Sequence, residues 1–370
     1  MSKPNKANPH TVKKFELVEV YVKTWSQTLL NAKPHGELSC RELVFIDCMC
    51  NSGLYEDDDG KRVYGTPIRV AKIIADIMPS HPNQKATLYF NDSDSEKIAK
   101  LQERLPPQTN NFQIRSSVGD GNDLLKTLWP TLRQRNGVHY LLFYDPYKAA
   151  IDWTAIEPYF RDWGEFILNH MVSDTVRALK SAKNPETIDK YERTYLTPFD
   201  ELAESAGDRK DYERRLQNVI EDLCRNLNRK YYVATVPFFI KTNALIYDLV
   251  FFTKNIEGFK KFKTAAWKTF GGQSSNQNAR EDKQMYLPFA KPPEDKLCYF
   301  VSDIADYIVD NFKGSGTILL QKVWDFIDEN HPVFPTEGYI NEIKAVLKQR
   351  YGCEIHGRKK EEQTITFIKR

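Results

Sequence analysis

Two long apolar segments constrain the fold of this chain more than any other feature of its sequence. They cover residues 231–240 and 245–253 and are joined by only four residues, 241–244. A connection this short permits an antiparallel hairpin, whereas parallel strands need a crossover of a dozen residues or more. The sequence therefore predicts that the last two strands of its sheet run antiparallel to each other.

Five shorter apolar segments precede this pair and alternate with segments of helical periodicity. The apolar segments cover residues 42–46, 86–90, 112–115, 140–144 and 165–168. Strands that alternate with helices are typical of a parallel, doubly wound sheet. A class I methyltransferase fold has such a sheet with its last strand inserted antiparallel, whereas a plain dinucleotide-binding fold has no closing hairpin. The sequence therefore predicts a class I methyltransferase-like α/β fold.

The rest of the chain predicts a helical insertion and a second domain. Residues 171–230 are charged and helical in pattern, and we interpret them as an insertion within a first domain of residues 1–290. The segment 297–370 follows Pro292 and Pro293 and predicts a winged-helix-like domain. Its helical segments are 301–312, 317–330 and 336–350, and its two short strands, 353–356 and 364–368, flank a basic turn.

Composition excludes several classes of protein. Hydrophobic residues make up 41% of the chain, yet no apolar run is long enough to span a bilayer, which predicts a protein without a membrane segment. The N-terminus is polar and lacks the apolar core of a signal peptide, so we expect a cytoplasmic location. The six cysteines form no CxxC pair and have no histidine at ligand spacing, which predicts free thiols and no metal site. A net charge of +3 neither requires nor excludes nucleic-acid binding.

An acid, a proline and an aromatic residue follow the apolar segment 140–144, and they are Asp145, Pro146 and Tyr147. In open α/β sheets, ligands bind outside the carboxyl ends of the strands. The carboxylate can accept an N–H bond, the proline stiffens the turn and the ring can stack. We therefore predict these three as catalytic residues that hold a planar amine. A turn without a ligand is the alternative that this segment alone leaves open.

Acidic residues after the first three strand segments predict a site for an adenosyl methyl donor. Such a donor needs a tight loop after the first strand, an acid after the second and a polar residue after the third. The chain offers the loop 47–53, then Asp92 and Asp120. We predict that Asp47, Gly53, Asp92 and Asp120 bind S-adenosylmethionine. The loop is poor in glycine, and Asn51, which can adopt a positive φ, adds a side chain there.

Two basic segments predict contacts with a nucleic-acid backbone. Lysines alternate with aromatic residues between Phe259 and Phe270, and a second basic cluster lies in the turn of the C-terminal domain. The predicted nucleic-acid-binding residues are Lys260, Lys261, Lys263, Arg358, Lys359 and Lys360.

Taken together, these segments resemble the three-Cys-motif partner proteins, a bacterial family with a methyltransferase-like fold. The resemblance covers His10 and Thr11, the loop 47–53, Gly65-Thr66-Pro67, the segment 90–101, Asp145-Pro146-Tyr147 and the segment 169–177. The chain departs from the family pattern at Asn51 and Lys148, where glycine is usual. The resemblance implies a partner protein that carries a three-cysteine motif, and a gene neighbourhood of the mobile or defence type.

Three functions follow as hypotheses. The first is S-adenosylmethionine-dependent methylation of a nucleic-acid amine, in which the target base is extruded and catalysis depends on positioning. The second is a catalytically inactive methyltransferase fold that binds nucleic acid or a partner protein, which Asn51 favours. The third, less favoured, is a metal-dependent nuclease that uses Asp47, Asp92 and Asp145.

Overall fold

The structure is a computed structural model that describes residues 5–33, 39–146, 148, 150–161, 164–179, 183–204, 209–227, 230–240, 245–275 and 298–367. The strands are β1 (Asn5–Lys6), β2 (Glu42–Asp47), β3 (Leu54–Glu56), β4 (Arg62–Tyr64), β5 (Lys85–Asp92), β6 (Phe112–Val118), β7 (Val138–Tyr144), β8 (Gly164–His170), β9 (Tyr232–Phe239), β10 (Leu245–Thr253), β11 (Thr317–Leu319), β12 (Glu354–His356) and β13 (Thr364–Thr366).

The helices are α1 (Pro9–Asn31), α2 (Thr66–Ile77), α3 (Ser95–Gln102), α4 (Gly121–Leu132), α5 (Trp153–Ile156), α6 (Val172–Leu179), α7 (Pro185–Tyr195), α8 (Phe199–Glu204), α9 (Arg209–Asn226), α10 (Ile256–Thr269), α11 (Val301–Phe312), α12 (Leu320–Asn330) and α13 (Ile340–Tyr351). Short 3₁₀ helices cover Met78–Ser80, Glu157–Arg161 and Lys360–Glu362.

A seven-stranded sheet in the order β6-β5-β2-β7-β8-β10-β9 forms the centre of the molecule. The strands from β6 to β8 are parallel, and β10 runs antiparallel to both of its neighbours. The central strands are almost continuously buried, as expected for a parallel sheet covered on both faces. Strands β9 and β10 pair antiparallel, as the short connection between the two apolar segments predicts, and β10 lies between β8 and β9. Residues 241–244, which form the connection, lie outside the described residues.

Helices α1, α2 and α10 cover one face of the sheet. On this face the ring of Phe251 stacks on Phe262 at 4.3 Å and meets Tyr21 of α1 edge-on at 5.1 Å. The other face packs against α4, the segment Glu157–Arg161 and the helices of the insertion. These contacts hold α1 along the sheet, so the position of its first turn is set by the core.

A second, small sheet in the order β1-β3-β4 was not predicted, since the sequence indicated a loop there. Its strands have two or three residues each, too few to give an alternating pattern. Ala7 donates its backbone N–H to the carbonyl of Glu56 at 2.8 Å, just beyond the parallel pairing of β1 with β3. The N-terminal segment is thereby tied to the chain that follows the loop 47–53.

The predicted insertion contains α6 to α9, and the C-terminal unit contains α11 to α13 with a sheet in the order β11-β13-β12. Strand β11 falls where the sequence predicted the start of a helix. Trp267 of α10 belongs to the hydrophobic core of the C-terminal unit. The predicted domain boundary between residues 290 and 297 lies outside the described residues, so the domain limits remain a prediction. Within the described residues, no helix is both long and apolar enough to cross a bilayer.

Candidate functional site

Three carboxylates meet at the carboxyl edge of the central sheet. Asp47 ends β2 and pairs in register with Phe90 of β5 and Phe143 of β7. Asp92 and Asp145 each lie two residues beyond those partners. The parallel register therefore brings the three acids to one edge, which we call the strand-end site.

Two donors from distant parts of the chain hold the carboxylate of Asp145. Nζ of Lys14, on the first turns of α1, lies 2.5 Å from Oδ2, and Nδ2 of Asn169, at the end of β8, lies 2.6 Å from Oδ1. The Asp145 side chain is 20% exposed and that of Lys14 is 8% exposed. Both oxygens of Asp145 are thus oriented by the protein itself.

The surroundings of Lys14 fix its ammonium in place. Nζ lies 5.1 Å from the ring centroid of Tyr247, within the range of a cation–π contact. The hydroxyl of Tyr247 donates to the backbone carbonyl of His10 at 3.0 Å. Burial and the charge of Lys14 lower the pKa of His10. The first turns of α1 therefore form one wall of the strand-end site.

Asn169 also carries an unused acceptor. The residue is 3% exposed, and its Oδ1 atom is buried without a hydrogen-bond partner in the described part of the chain. Because a carboxylate accepts hydrogen bonds, the amide nitrogen Nδ2 of Asn169 must face Asp145, and this determines which amide atom is the oxygen. An unsatisfied buried acceptor is costly, so this atom favours a bound N–H or O–H donor.

Asp47, at the end of β2, is buried. Its Oδ1 accepts from the backbone N–H of Met49 at 3.3 Å. Burial, followed by the charges of Asp145 and Asp92, raises the pKa of Asp47 well above its usual range, although Lys14 opposes this. The environment therefore favours the protonated form of Asp47.

Asp92 joins the loops that follow β2 and β5. Its Oδ2 accepts from the backbone N–H of Asn51 at 3.0 Å, and its Oδ1 accepts from Asp94 N–H at 3.0 Å and from Lys97 Nζ at 3.4 Å. The residue is 4% exposed. Its carboxylate is engaged by the protein on both oxygens.

The loop 47–53 is closed by hydrogen bonds within the chain. Asn51 has a φ of +57°, and its Oδ1 accepts from Asn5 Nδ2 at 2.9 Å and from Ser52 N–H at 2.6 Å. The N–H of Cys50 donates to the carbonyl of Asn91 at 2.8 Å. All four successive amides from Met49 to Ser52 therefore have acceptors inside the protein.

Gly53 is explained by packing. Its φ is +68°, and a Cβ atom there would lie 2.8–2.9 Å from side-chain atoms of Ile68 and Leu101. The glycine lets α2 and α3 pack closely against the loop, so this residue does not by itself indicate a cofactor.

Asp120 serves as the N-cap of α4, where its Oδ1 accepts from the N–H groups of Asn122 and Asp123 at 2.8 and 3.2 Å. Asp120 is exposed at the carboxyl side of β6.

The remaining members of the predicted amine-binding group are described in part. Pro146 is buried, and Tyr147 lies outside the described residues. Among the described residues, no group of three or more His, Cys, Asp and Glu side chains is placed to share a metal ion. The six cysteines are free and buried.

The predicted basic residues of α10 face the C-terminal unit. Lys263 is buried, and its Nζ donates to the backbone carbonyls of Asp328 and His331 at 3.2 and 2.9 Å. Lys260 lies 3.6 Å from Asp328, and Lys261 lies 3.3 Å from Glu337. These contacts remove Lys263 from the predicted nucleic-acid surface, because a buried ammonium cannot reach a phosphate.

The second predicted basic cluster is exposed. Arg358, Lys359 and Lys360 lie on the surface, and Lys359 pairs with Glu362 at 3.7 Å. Residues 298–367 nevertheless contain eight Lys and Arg against eleven Asp and Glu. The basic turn is therefore a local feature of an acidic unit.

Sequence reasoning missed Lys14 as a site residue. It lies four residues before Val18 and seven before Tyr21, on the buried stripe of α1. A lysine on such a stripe indicates a buried anionic partner, and this signal was present in the sequence. Asn169 was included in the family resemblance without a role.

The side chains at this edge fit an adenosyl donor in part. The carboxylates of Asp92 and Asp120 suit ribose hydroxyls and an α-ammonium group, the carboxyl group of Asp47 suits a hydroxyl, and the amide of Asn169 leaves a buried acceptor for a donor group. The loop amides, in contrast, are already used and present no donor to the carboxylate of a methionine moiety.

Comparison with known proteins gives limited likenesses. No family model matches this chain, and no curated protein sequence matches it. Among solved structures, it is similar to protein LPL1258 from Legionella pneumophila, with a TM-score of 0.41 and 12% identity over 71% of this chain and 91% of that one. It is also similar to human methyltransferase-like protein 13 in complex with SAH, with a TM-score of 0.34 and 10% identity over 74% and 97% of the two chains. A third similar structure is loganic acid methyltransferase with SAH, with a TM-score of 0.30 and 11% identity over 71% of this chain and 83% of that one.

The class of fold follows from the sheet itself. A mixed α/β sheet with helices on both faces and an antiparallel last strand between two others defines a methyltransferase-like fold. The strand-end site lies where this class of fold binds its ligands.

Proposed function

We propose that this chain is an S-adenosylmethionine-dependent methyltransferase that acts on an exocyclic amine of a nucleic acid. In this proposal Asp145, Pro146 and Tyr147 form the amine-binding group. The observation that carries the proposal is the oriented carboxylate of Asp145, which Lys14 and Asn169 hold at the carboxyl edge of the sheet.

Asp145 acts as an acceptor in this scheme. Each carboxylate oxygen has a lone pair beyond the one already used, so the side chain can accept an N–H from the target amine. Pro146 restricts the turn that presents it. Transfer to a planar amine depends on its orientation more than on a strong base, which suits a carboxylate that is fixed by two donors. When bound, the donor supplies the methyl group.

The acids beside Asp145 are the candidates for holding the donor. Asp92 and the exposed Asp120 suit its hydroxyl and amine groups, and Asp47 lies next to them at the end of β2. Gly53 supports the loop by its close packing.

Calorimetry and a methyl-incorporation assay test the proposal. Wild-type protein should give heat with S-adenosylmethionine and with its demethylated product, and should transfer methyl groups to an adenine- or cytosine-containing oligonucleotide. Asp145→Asn should keep donor binding and reduce transfer about a hundredfold, because one acceptor oxygen becomes an NH2 group that faces the donor of Lys14 or Asn169, and the orientation of the side chain is lost. Absence of donor binding by well-folded protein would contradict the proposal.

A second candidate function is a methyltransferase fold that binds its ligand without catalysis. The closed loop 47–53 favours it, because four successive amides are occupied by acceptors of the protein. This candidate is supported if oligonucleotide binding persists in Asp145→Ala while no donor binds to the wild type.

The partners remain proposals. Arg358, Lys359 and Lys360 are the exposed candidates for backbone phosphates, together with the partly exposed Lys260 and Lys261. A three-Cys-motif protein is proposed as the partner on the family resemblance alone. Purification of the two proteins together would test the proposed partner. Nucleic-acid binding by a variant in which Arg358, Lys359 and Lys360 are replaced would test the proposed phosphate contacts.

A further inference from the structure

The charge of the strand-end site is smaller than its three acids imply. Asp145 has the ammonium of Lys14 at 2.5 Å, and Asp92 has that of Lys97 at 3.4 Å. Asp47 is buried, and its surroundings favour the protonated form. Asp145 and Asp92 therefore each have a lysine ammonium group beside them.

The ammonium group of Lys14 is held beside Asp145 by the packing of α1. Lys14 belongs to a helix of 23 residues whose Tyr21 packs against the sheet and against α10. Its side chain is enclosed, and the ring of Tyr247 covers the ammonium. A ligand that reaches Asp145 therefore meets a fixed positive charge next to the carboxylate.

This arrangement treats neutral and cationic amines differently. A neutral N–H donor needs only a lone pair on the carboxylate of Asp145. Asn169, which donates to Oδ1 of that carboxylate, also has an unused acceptor in its own Oδ1. An ammonium ion would be placed close to that of Lys14, where little water screens the repulsion. Like charges placed together in this way cost several kcal/mol.

We infer that Lys14 is a specificity-determining residue that restricts the amine position at Asp145, within the strand-end site, to uncharged, planar N–H donors such as the exocyclic amine of a nucleobase, and that it excludes aliphatic ammonium groups such as a lysine side chain from that position. This inference rests on the proposed function for the identity of the site. It adds to that function that the target amine is uncharged, and that Lys14 is the residue that selects for an uncharged amine.

The experiment compares two probes on the full chain at pH 8. One probe is a short single-stranded oligonucleotide that contains adenine and cytosine, and the other is a lysine-containing peptide of similar length. We expect the wild type to bind the oligonucleotide and to bind the peptide at least about tenfold more weakly. Lys14→Met should lower this selectivity at least about tenfold, because the charge of Asp145 is then uncompensated.

Two further variants separate selectivity from folding. Lys13→Met removes the neighbouring, partly exposed lysine, which pairs with Glu16, and should keep wild-type selectivity. Lys14→Arg retains the positive charge and should keep the preference for the oligonucleotide. The comparison of the two probes on wild-type protein tests the inference even if Lys14→Met does not fold.

The outcomes distinguish this inference from the proposed function. Oligonucleotide binding that depends on Lys14, without methyl transfer, would support the inference and contradict the enzyme. Methyl transfer to the peptide as readily as to the oligonucleotide would overturn the inference and leave a methyltransferase. Failure of the wild type to bind the oligonucleotide, or unchanged selectivity in folded Lys14→Met, would also overturn the inference.

Discussion

The backbone nitrogen of Asn51 lies 3.0 Å from Oδ2 of Asp92, so one hydrogen bond joins the loop that follows β2 to the end of β5. The side chain of Asn51 adds two more bonds, from Asn5 and from the amide of Ser52. The loop where a methyl donor is expected is therefore held by hydrogen bonds within the protein. Whether a donor can enter depends on opening this loop.

Replacement of Asn51 tests that dependence. Asn51→Gly keeps the left-handed backbone without strain and releases the Ser52 amide, so donor affinity measured by calorimetry should rise. Asn51→Ala releases the same amide but retains a Cβ at a φ of +57°, and it should be about 1 kcal/mol less stable than the glycine variant. Unchanged or weaker donor binding in Asn51→Gly would contradict this role of the asparagine.

Gly53 provides a test of packing beneath the loop. Gly53→Ala should reduce the free energy of unfolding by about 1–3 kcal/mol more than Gly60→Ala, because only the first places a Cβ within 3 Å of other side chains. Both glycines have positive φ, +68° and +76°, so the difference isolates packing from backbone strain. Urea unfolding measures this difference in the free energy of unfolding. Equal losses of stability in the two variants would show that Ile68 and Leu101 move to accommodate the added Cβ atom.

Glu165 predicts a specific pH dependence of stability. Burial raises the pKa of this carboxyl to about 7, and the hydroxyl of Tyr21, which donates to it, opposes the shift. Because the ordinary value is 4.5, the unfolded chain releases the proton first. The group therefore costs nothing below pH 4.5, and its cost grows to about 3 kcal/mol as the pH rises through 7.

Glu165→Gln removes that cost. The variant should gain stability relative to wild type between pH 5 and pH 8, as measured by urea unfolding at both values. The partly exposed Glu16 on α1 supplies the control, and Glu16→Gln should show no comparable trend. A stability difference between Glu165→Gln and wild type that is constant with pH would contradict the assigned burial.

Lys263 tests the role of α10. Lys263→Met should lower the free energy of unfolding by about 1–3 kcal/mol, because two buried carbonyls lose their donor. The exposed Lys268 offers a matched control, and Lys268→Met should change stability little. Nucleic-acid affinity should be the same in Lys263→Met and wild type; a selective loss of affinity in a stable variant would restore the predicted surface role.

The alternation of strands and helices along the chain, and the antiparallel pairing of the last two strands, could be predicted from the amino-acid sequence. Apolar runs of five to ten residues and a four-residue connection carry that information locally, and strands β7 (Val138–Tyr144) and β10 (Leu245–Thr253) lie where those runs are. The sequence also placed Asp47, Asp92 and Asp145 at strand ends. The short strands β1, β3 and β4 escaped detection because three residues show no period.

The contacts of these acids could not be predicted from the sequence, because they depend on the packing of distant segments. Lys14 and Asp145 are 131 residues apart, and Asn51 and Asp92 are 41 apart, so no local pattern links them. The same is true of Lys263, whose basic and aromatic surroundings resemble a nucleic-acid surface until its partners on α12 are known. The charge and availability of a side chain depend on neighbours brought together by packing, and these neighbours are distributed over the whole chain.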